Sequence, residues 1–218
     1  MKTVLSVAAS LLLASSASAQ APRIGLEAGV NFSNTTFRYD DGDTEFENGD
    51  YRTGFKIGLV LDYRLSQGFY FQPGLFYSQK GSEEFLNLEP IDIRINYLEL
   101  PFNFLFKAGT NRTGRFFVGA GPYVGIAIGG ELDAFGDDQD LEIGNDDEDI
   151  IDRLDAGLNV TAGYEFPGGI YFRGNAAFGL TNAFSDDYGD ALENFFGVDD
   201  AALRNNTYSL TLGYFIGR

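Results

Sequence analysis

The sequence predicts an all-β fold, a closed eight-stranded antiparallel up-and-down β-barrel. Apolar and polar residues alternate with a period of two in eight segments, whereas no helical period persists beyond the N-terminal 20 residues. The connections between the segments alternate between short and long. The 21 Phe and 12 Tyr in 218 residues favour strands over helices.

An export signal precedes the first segment. Lys2 is followed by an apolar run over 4–14 and by Ala17-Ser18-Ala19 before Gln20. This pattern predicts a secretory signal peptide over 1–19, cleaved after Ala19. The run is shorter than the roughly 20 apolar residues of a spanning helix. The barrel domain is therefore expected at 20–218.

Turn residues bound most of the alternating segments. In chain order the eight segments are 24–32, 55–65, 69–77, 98–106, 116–128, 154–166, 170–180 and 208–216. A Ser-Gln-Gly turn at 66–68 separates the second from the third, and a Pro-Gly-Gly turn at 167–169 separates the sixth from the seventh. The connection 108–114 separates the fourth from the fifth. No residue of the apolar phase is charged, whereas the opposite phase contains many polar residues and glycines. The alternation slips once, between Ile95 and Leu98, which predicts a bulge or a phase change.

The connection lengths predict how the barrel is oriented. Turns 66–68, 108–114 and 167–169 are short, whereas 39–50, 81–92, 131–149 and 185–205 are long. Short periplasmic turns and long outer loops are typical of barrels in the bacterial outer membrane. The sequence therefore predicts a transmembrane barrel in the cell outer membrane.

Alternation alone leaves open which face lies inside. A soluble periplasmic ligand-binding barrel would place the apolar phase in its interior. An eight-stranded barrel, however, has an interior only wide enough for side chains or one small ligand. The apolar phase is too bulky for that space, while the glycine-rich polar phase fits it. We therefore expect the apolar phase to face lipid.

Composition narrows the classes of function. The chain has no Cys and no His, and its formal net charge is −17. Thiolate and histidine metal sites, and the commonest general base, are therefore absent. An acidic protein is not expected to bind nucleic acid. No catalytic residues and no cofactor are predicted, and the protein is expected not to be an enzyme.

Charged residues in the polar phase form the candidate site. Both signs occur, and an unpartnered charge in a narrow lumen is costly, so these side chains are expected to pair. The expected lumen network contains Glu27, Lys56, Asp62, Arg64, Glu99, Asp155 and Arg173. Two interpretations stay open, a salt-bridged plug and a polar path for small solutes, and Glu99 is the residue to probe first.

The long connections are acidic and contain 26 of the 32 Asp and Glu residues. Dense stretches lie at 40–45, 137–140, 145–149 and 186–187. Their oxygens suit divalent cations such as Ca²⁺, which would bridge to lipopolysaccharide, although no stretch has EF-hand spacing. The other interpretation is a solvated, self-repelling surface. Expected partners are therefore outer-membrane lipid and lipopolysaccharide, joined by divalent cations at the acidic loops under the first interpretation.

Several short motifs resemble the PorT-like porin family, the outer membrane protein β-barrel domain group. They lie at 25–31 (Gly-Leu-Glu-Ala-Gly-Val-Asn), 72–73 (Gln-Pro), 77–81 (Tyr-Ser-Gln-Lys-Gly), 97–101 (Tyr-Leu-Glu-Leu-Pro), 119–125 (Gly-Ala-Gly-Pro-Tyr-Val-Gly), 179–182 (Gly-Leu-Thr-Asn) and 208–214. The resemblance implies the outer-membrane location and the barrel fold.

Two functions of an outer-membrane barrel remain open, besides that of a soluble periplasmic ligand-binding barrel. The first is a non-enzymatic envelope or surface protein that presents acidic loops. The second is a narrow pore or an accessory of a protein secretion system.

Overall fold

The computed structural model describes residues 21–40, 44–48, 50–83, 91–134, 137–140, 143–144, 151–181 and 199–216. Within these ranges eight long strands form the wall: β1 Arg23–Asp40, β2 Asp50–Arg64, β3 Phe69–Glu83, β4 Ile91–Thr110, β5 Gly114–Ala134, β6 Leu154–Glu165, β7 Ile170–Gly179 and β8 Asp199–Ile216. The predicted signal peptide lies outside the described residues.

Antiparallel pairing closes the wall. Each strand pairs with the next along the chain, and β8 returns to β1 with Leu210 opposite Val30. The predicted closed eight-stranded antiparallel barrel is confirmed. In the described part of the chain, no helix is long and apolar enough to cross a membrane.

Three tight turns join the strands at one end. They connect β2 to β3, β4 to β5 and β6 to β7, as predicted. The N-terminal end of β1 and the C-terminal end of β8 lie at the same end of the barrel as these turns. The last turn contains Gly168 and Gly169, with φ of 103° and 98°. Only glycine adopts this conformation at low cost, which explains the Pro-Gly-Gly sequence.

At the other end the wall extends well past a membrane. β4 has 20 residues and β5 has 21, whereas about 9–11 tilted residues cross a bilayer. Short strands Thr44–Asn48 and Asp137–Asp140 pair with β1 and β5, and Ile143–Gly144 pairs in parallel with Ile151–Asp152. Parts of the predicted long loops are thus strands. The hydrogen-bonded strand ladder continues beyond the apolar band that faces lipid.

The apolar phase of all eight strands faces outward. Leu210 and Leu212 on β8 are each 62 % exposed and Phe116 on β5 is 69 % exposed, while the alternate positions are buried or half-buried. The expected orientation is confirmed, and the soluble barrel with an apolar interior is wrong. Aromatic rings cluster near both ends of this surface, for example Phe116–Tyr164 at the turn end and Tyr51–Tyr208 at the other.

The predicted irregularity in β4 has a specific form. The ladder between β4 and β5 shifts at Asn96 and Tyr97, which pair with Gly129 and Ala127, so the extra residue lies on β5. β4 itself keeps its phase, with Ile95, Tyr97 and Glu99 all facing the lumen. The apparent slip arose because two of these lumen residues are apolar or aromatic.

Candidate functional site

Aromatic and aliphatic side chains fill the lumen toward the turn end. Seven buried residues form this ring layer: Val60, Tyr70, Phe76, Leu105, Phe117, Tyr171 and Phe215. Tyr171 is fully buried, and its ring stacks on Phe215 with centroids 4.6 Å apart. This apolar layer was not expected from the polar and glycine-rich lumen phase.

Glycines on neighbouring strands make room for these rings. Tyr171 lies directly opposite Gly213, and Phe117 directly opposite Gly163. A Cβ on either glycine would overlap the facing ring. The same arrangement holds for Phe76 opposite Gly58, Phe215 opposite Gly25 and Leu105 opposite Gly119. These five glycines therefore leave the space that large side chains occupy in the bore.

An upper ion-pair network lies farther from the turns. Glu99 on β4 accepts from Lys56 at 2.8 Å and from Lys80 at 2.5 Å. Lys80 on β3 also reaches Asp155 on β6 at 2.9 Å, and Tyr123 donates to that carboxylate at 3.1 Å. The Lys80 ammonium lies over the Tyr123 ring at 4.7 Å. These groups cross the lumen from β2 to β6.

A lower ion-pair network lies near the tight turns. Asp62 binds Arg23 at 2.5 Å and Lys107 at 2.8 Å. Glu165 binds Arg23 at 2.7 Å, Arg115 at 2.6 Å and Lys107 at 3.4 Å. Two carboxylates are thus held by three cations from β1, β4 and β5.

Gln72 connects the lower network to a third group of charges. Its amide donates to Asp62 at 2.9 Å and accepts from Arg173. Arg173 pairs with Glu27 at 3.4 Å, and the Glu27 carboxylate also accepts from Tyr171 at 2.8 Å and Thr211 at 2.7 Å. Glu27, on β1, thus faces donors from β7 and β8.

The structure places six of the seven predicted lumen residues in these networks: Glu27, Lys56, Asp62, Glu99, Asp155 and Arg173. Arg64 joins none of them, because it is the last residue of β2 and extends into solvent, where its Nε donates to the Ser66 carbonyl at 3.4 Å.

Sequence reasoning missed Arg23, Lys80, Lys107, Arg115 and Glu165. Arg23, Lys80, Lys107 and Arg115 continue the inward phase just past the ends of the segments considered, and Glu165 shares that phase inside segment 154–166. Counting by two from Glu27, Glu99 and Asp155 along the same strands reaches Arg23, Lys107 and Glu165. Among the described residues, six cations (Arg23, Lys56, Lys80, Lys107, Arg115, Arg173) and five carboxylates (Glu27, Asp62, Glu99, Asp155, Glu165) meet in the lumen. The charge of −17 therefore does not arise in the bore.

A cavity of about 1420 Å³ opens at the turn end. Its floor is the lower network, and Arg64 and Arg112 line its rim. Its wall is partly apolar and includes Phe106, Phe166 and Tyr214. The acidic stretches at 40–45, 137–140, 145–149 and 186–187 lie outside the part of the chain whose side chains are described.

A sequence model described as "Outer membrane protein beta-barrel domain" matches residues 15–185, more than three quarters of the chain. The chain belongs to this family. The outer membrane protein β-barrel domain family is located in the outer membrane, so the turn end faces the periplasm and the extended end faces outward. No curated protein sequence matches the chain.

Solved outer-membrane proteins have similar structures at low sequence identity. Neisserial surface protein A (NspA) is 10 % identical with a TM-score of 0.47, and the match covers 91 % of this chain and 99 % of that one. OprG from Pseudomonas aeruginosa is 12 % identical with a TM-score of 0.46, covering 91 % and 98 %. The outer membrane enzyme PagL is 16 % identical with a TM-score of 0.43, covering 85 % and 99 %.

Proposed function

We propose that this outer-membrane barrel is a non-conducting, non-enzymatic scaffold whose role in the cell envelope is carried out at its outer surface. The observation that carries the proposal is the filling of the lumen. Two ion-pair networks and the ring layer occupy the bore at successive levels, with N–O distances of 2.5 to 3.4 Å across the pairs.

Energetics favour a lumen that stays closed. Opening a path past Lys80 would separate it from Glu99 and Asp155, and removing one partner of a buried pair costs about 3–5 kcal/mol. Opening the ring layer would also require Tyr171 and Phe117 to leave the space above their glycines. The proposed resting state is therefore a plug.

The charge distribution favours the outer surface as the functional region. The lumen charges nearly balance, whereas 26 of 32 acidic residues belong to the four long connections. The wall that carries these connections extends beyond the apolar band, as the 21 residues of β5 indicate. An acidic platform raised above the membrane is suited to contacts with cations, lipopolysaccharide or other surfaces.

The absence of enzymatic activity is proposed from the side chains available. The sequence has no His and no Cys. The lumen carboxylates Glu99 and Asp155 are held by lysines, and Ser78 and Ser209 bond Asn31 rather than a base. The lipids of cells making the protein are expected to be chemically unchanged by mass spectrometry. A new lipid product that requires the chain would contradict this proposal.

Planar-bilayer recording tests the plug. Purified wild-type protein is expected to give no steady conductance steps. The variant Lys80→Ala/Lys107→Ala/Phe117→Ala/Tyr171→Ala removes side chains from both networks and from the ring layer and is expected to conduct, which shows that the recording detects an opened barrel. Steady wild-type steps that change with Glu99→Gln would overturn the proposal and favour a pore.

The second candidate is the narrow pore or secretion accessory, within the PorT-like subgroup. It is favoured by the periplasmic cavity, which already opens part of the bore. Motif residues of the PorT-like resemblance also fall in the networks, namely Glu27, Gln72, Lys80, Glu99 and Tyr123. Loss of surface-exported proteins in a deletion strain, restored by the wild-type gene, would support the accessory role.

Complementation tests the role of the acidic surface. A deletion strain carrying the wild-type gene is compared with strains carrying Asp137→Asn/Asp138→Asn/Asp140→Asn or Glu99→Gln. Survival in EDTA is expected to fall with the loop variant and to hold with the lumen variant. The reverse order would contradict a surface role. Calorimetry with CaCl₂ distinguishes the two interpretations of the loops, since a solvated surface without cation sites gives no saturable heat.

A further inference from the structure

The periplasmic cavity concentrates positive charge in an otherwise acidic protein. Arg23, Arg64, Lys107, Arg112 and Arg115 line it, against the carboxylates Asp62 and Glu165. These are five of the 15 basic residues in a chain with a formal net charge of −17. Five cations against two carboxylates leave an excess of positive charge, and an excess of one sign in a cleft with low-dielectric walls focuses the electrostatic potential and favours anions.

Not every cation of the cavity is paired with a carboxylate of the described residues. Arg64 and Arg112 on the rim are exposed and pair with no carboxylate of the described residues. Deeper in the cavity, Arg115 binds Glu165 and the Tyr70 hydroxyl, but its Nε is buried without a hydrogen-bond partner among the described residues. The cavity therefore offers Arg64 and Arg112 as the guanidinium groups whose charge is not offset by a carboxylate of the described residues.

From this geometry we infer that the cavity binds a multivalent oxyanion, a phosphate- or carboxylate-bearing group, from the periplasmic side. Guanidinium groups bind such oxyanions through paired N–H donors. The volume of about 1420 Å³ exceeds the roughly 300–1000 Å³ of common ligand pockets, so it admits a solute larger than a single phosphate. This site is independent of the proposed role of the outer surface.

Calorimetry with pyrophosphate tests the site on the full barrel in phosphatidylcholine nanodiscs. Wild-type protein is expected to give saturable heat. Arg64→Gln/Arg112→Gln removes the rim charges and is expected to weaken binding about tenfold, since each exposed ionic contact is worth up to about a factor of five. The matched control Arg52→Gln/Arg94→Gln removes two charges from the outer end and is expected to leave affinity within about twofold.

Two further arms complete the test. Affinity for the wild-type protein is expected to fall as NaCl is raised, a readout that needs no variant. Phosphatidylglycerol in the nanodisc distinguishes the sources of the phosphate: if it abolishes pyrophosphate binding, lipid headgroups occupy the site, and if binding persists, a free solute does. Wild-type protein without saturable heat, salt-independent binding, or equal losses in both double variants would overturn the inference.

Discussion

Tyr171 on β7 lies directly opposite Gly213 on β8, and its ring occupies the position that a side chain at 213 would need. The same Tyr171 hydroxyl donates to Glu27 on β1 at 2.8 Å. One aromatic residue therefore joins the glycine face of the wall to the charged network of the lumen.

Gly213→Ala is expected to destabilise the barrel by about 1–3 kcal/mol, because the new methyl group forces Tyr171 from its place. Gly174→Ala is the control, since a Cβ there meets nothing closer than 3.8 Å. Urea unfolding in lipid vesicles, followed by far-UV circular dichroism, measures both. Equal stability of the two variants would contradict the crowding at Gly213.

Lys80→Met is expected to cost about 3–5 kcal/mol of unfolding free energy, because Asp155 loses its cation inside the lumen. Adding Asp155→Asn removes the unpaired charge, so the double variant is expected to be more stable than Lys80→Met alone. Arg94→Gln breaks the partly exposed pair with Glu131 and should cost less than about 1 kcal/mol. The same unfolding assay applies, and a double variant less stable than Lys80→Met would argue against the network.

Leu212→Arg places a charge at the centre of the lipid-facing run 208–216 on β8 and is expected to cost about 2–4 kcal/mol. Phe116 lies two residues after the start of β5, close to the tight turns. Phe116→Arg should therefore cost only about 0–1 kcal/mol, because the headgroup region solvates the guanidinium. Refolding yield and unfolding midpoint in phospholipid vesicles report both. Equal losses of stability at the two positions would contradict a bilayer whose centre lies at the β8 position and whose headgroup region lies at Phe116.

The predicted signal peptide sets the mass expected for the protein recovered from outer membranes. Cleavage after Ala19 leaves Gln20 as the first residue, which intact-mass spectrometry detects directly. Ala19→Arg disrupts the small-residue cleavage site and is expected to leave the leader attached. A wild-type protein that retains residues 1–19 would refute the predicted processing.

Sequence reasoning was strongest where one face of a strand meets lipid. Leu210 and Phe116 were expected outside because every second residue of their segments is apolar, and a strand has only two faces. It was weaker where the pattern is mixed. Ile95 and Tyr97 face the lumen but are not polar, so a bulge or a phase change was expected between Ile95 and Leu98. The ladder does shift there, but the extra residue lies on β5 and β4 keeps its phase.

Sequence reasoning named six of the eleven charged side chains that meet in the described part of the lumen, but not which of them pair. Lys80 and Asp155 are 75 positions apart, and Lys56 and Glu99 are 43 apart. Alternation shows that each side chain enters the bore, but not at which height. Arg64 shares the inward phase of Asp62 and still lies at the rim, because β2 ends there.

The sequence by itself determined the strands, their lipid-facing sides and the end that carries the tight turns, because these follow from a period of two and from local turn chemistry. The tertiary structure decided which lumen charges meet and where rings cross the bore. Those contacts depend on the stagger of strands around a closed wall, a relation among all eight strands that no single segment encodes.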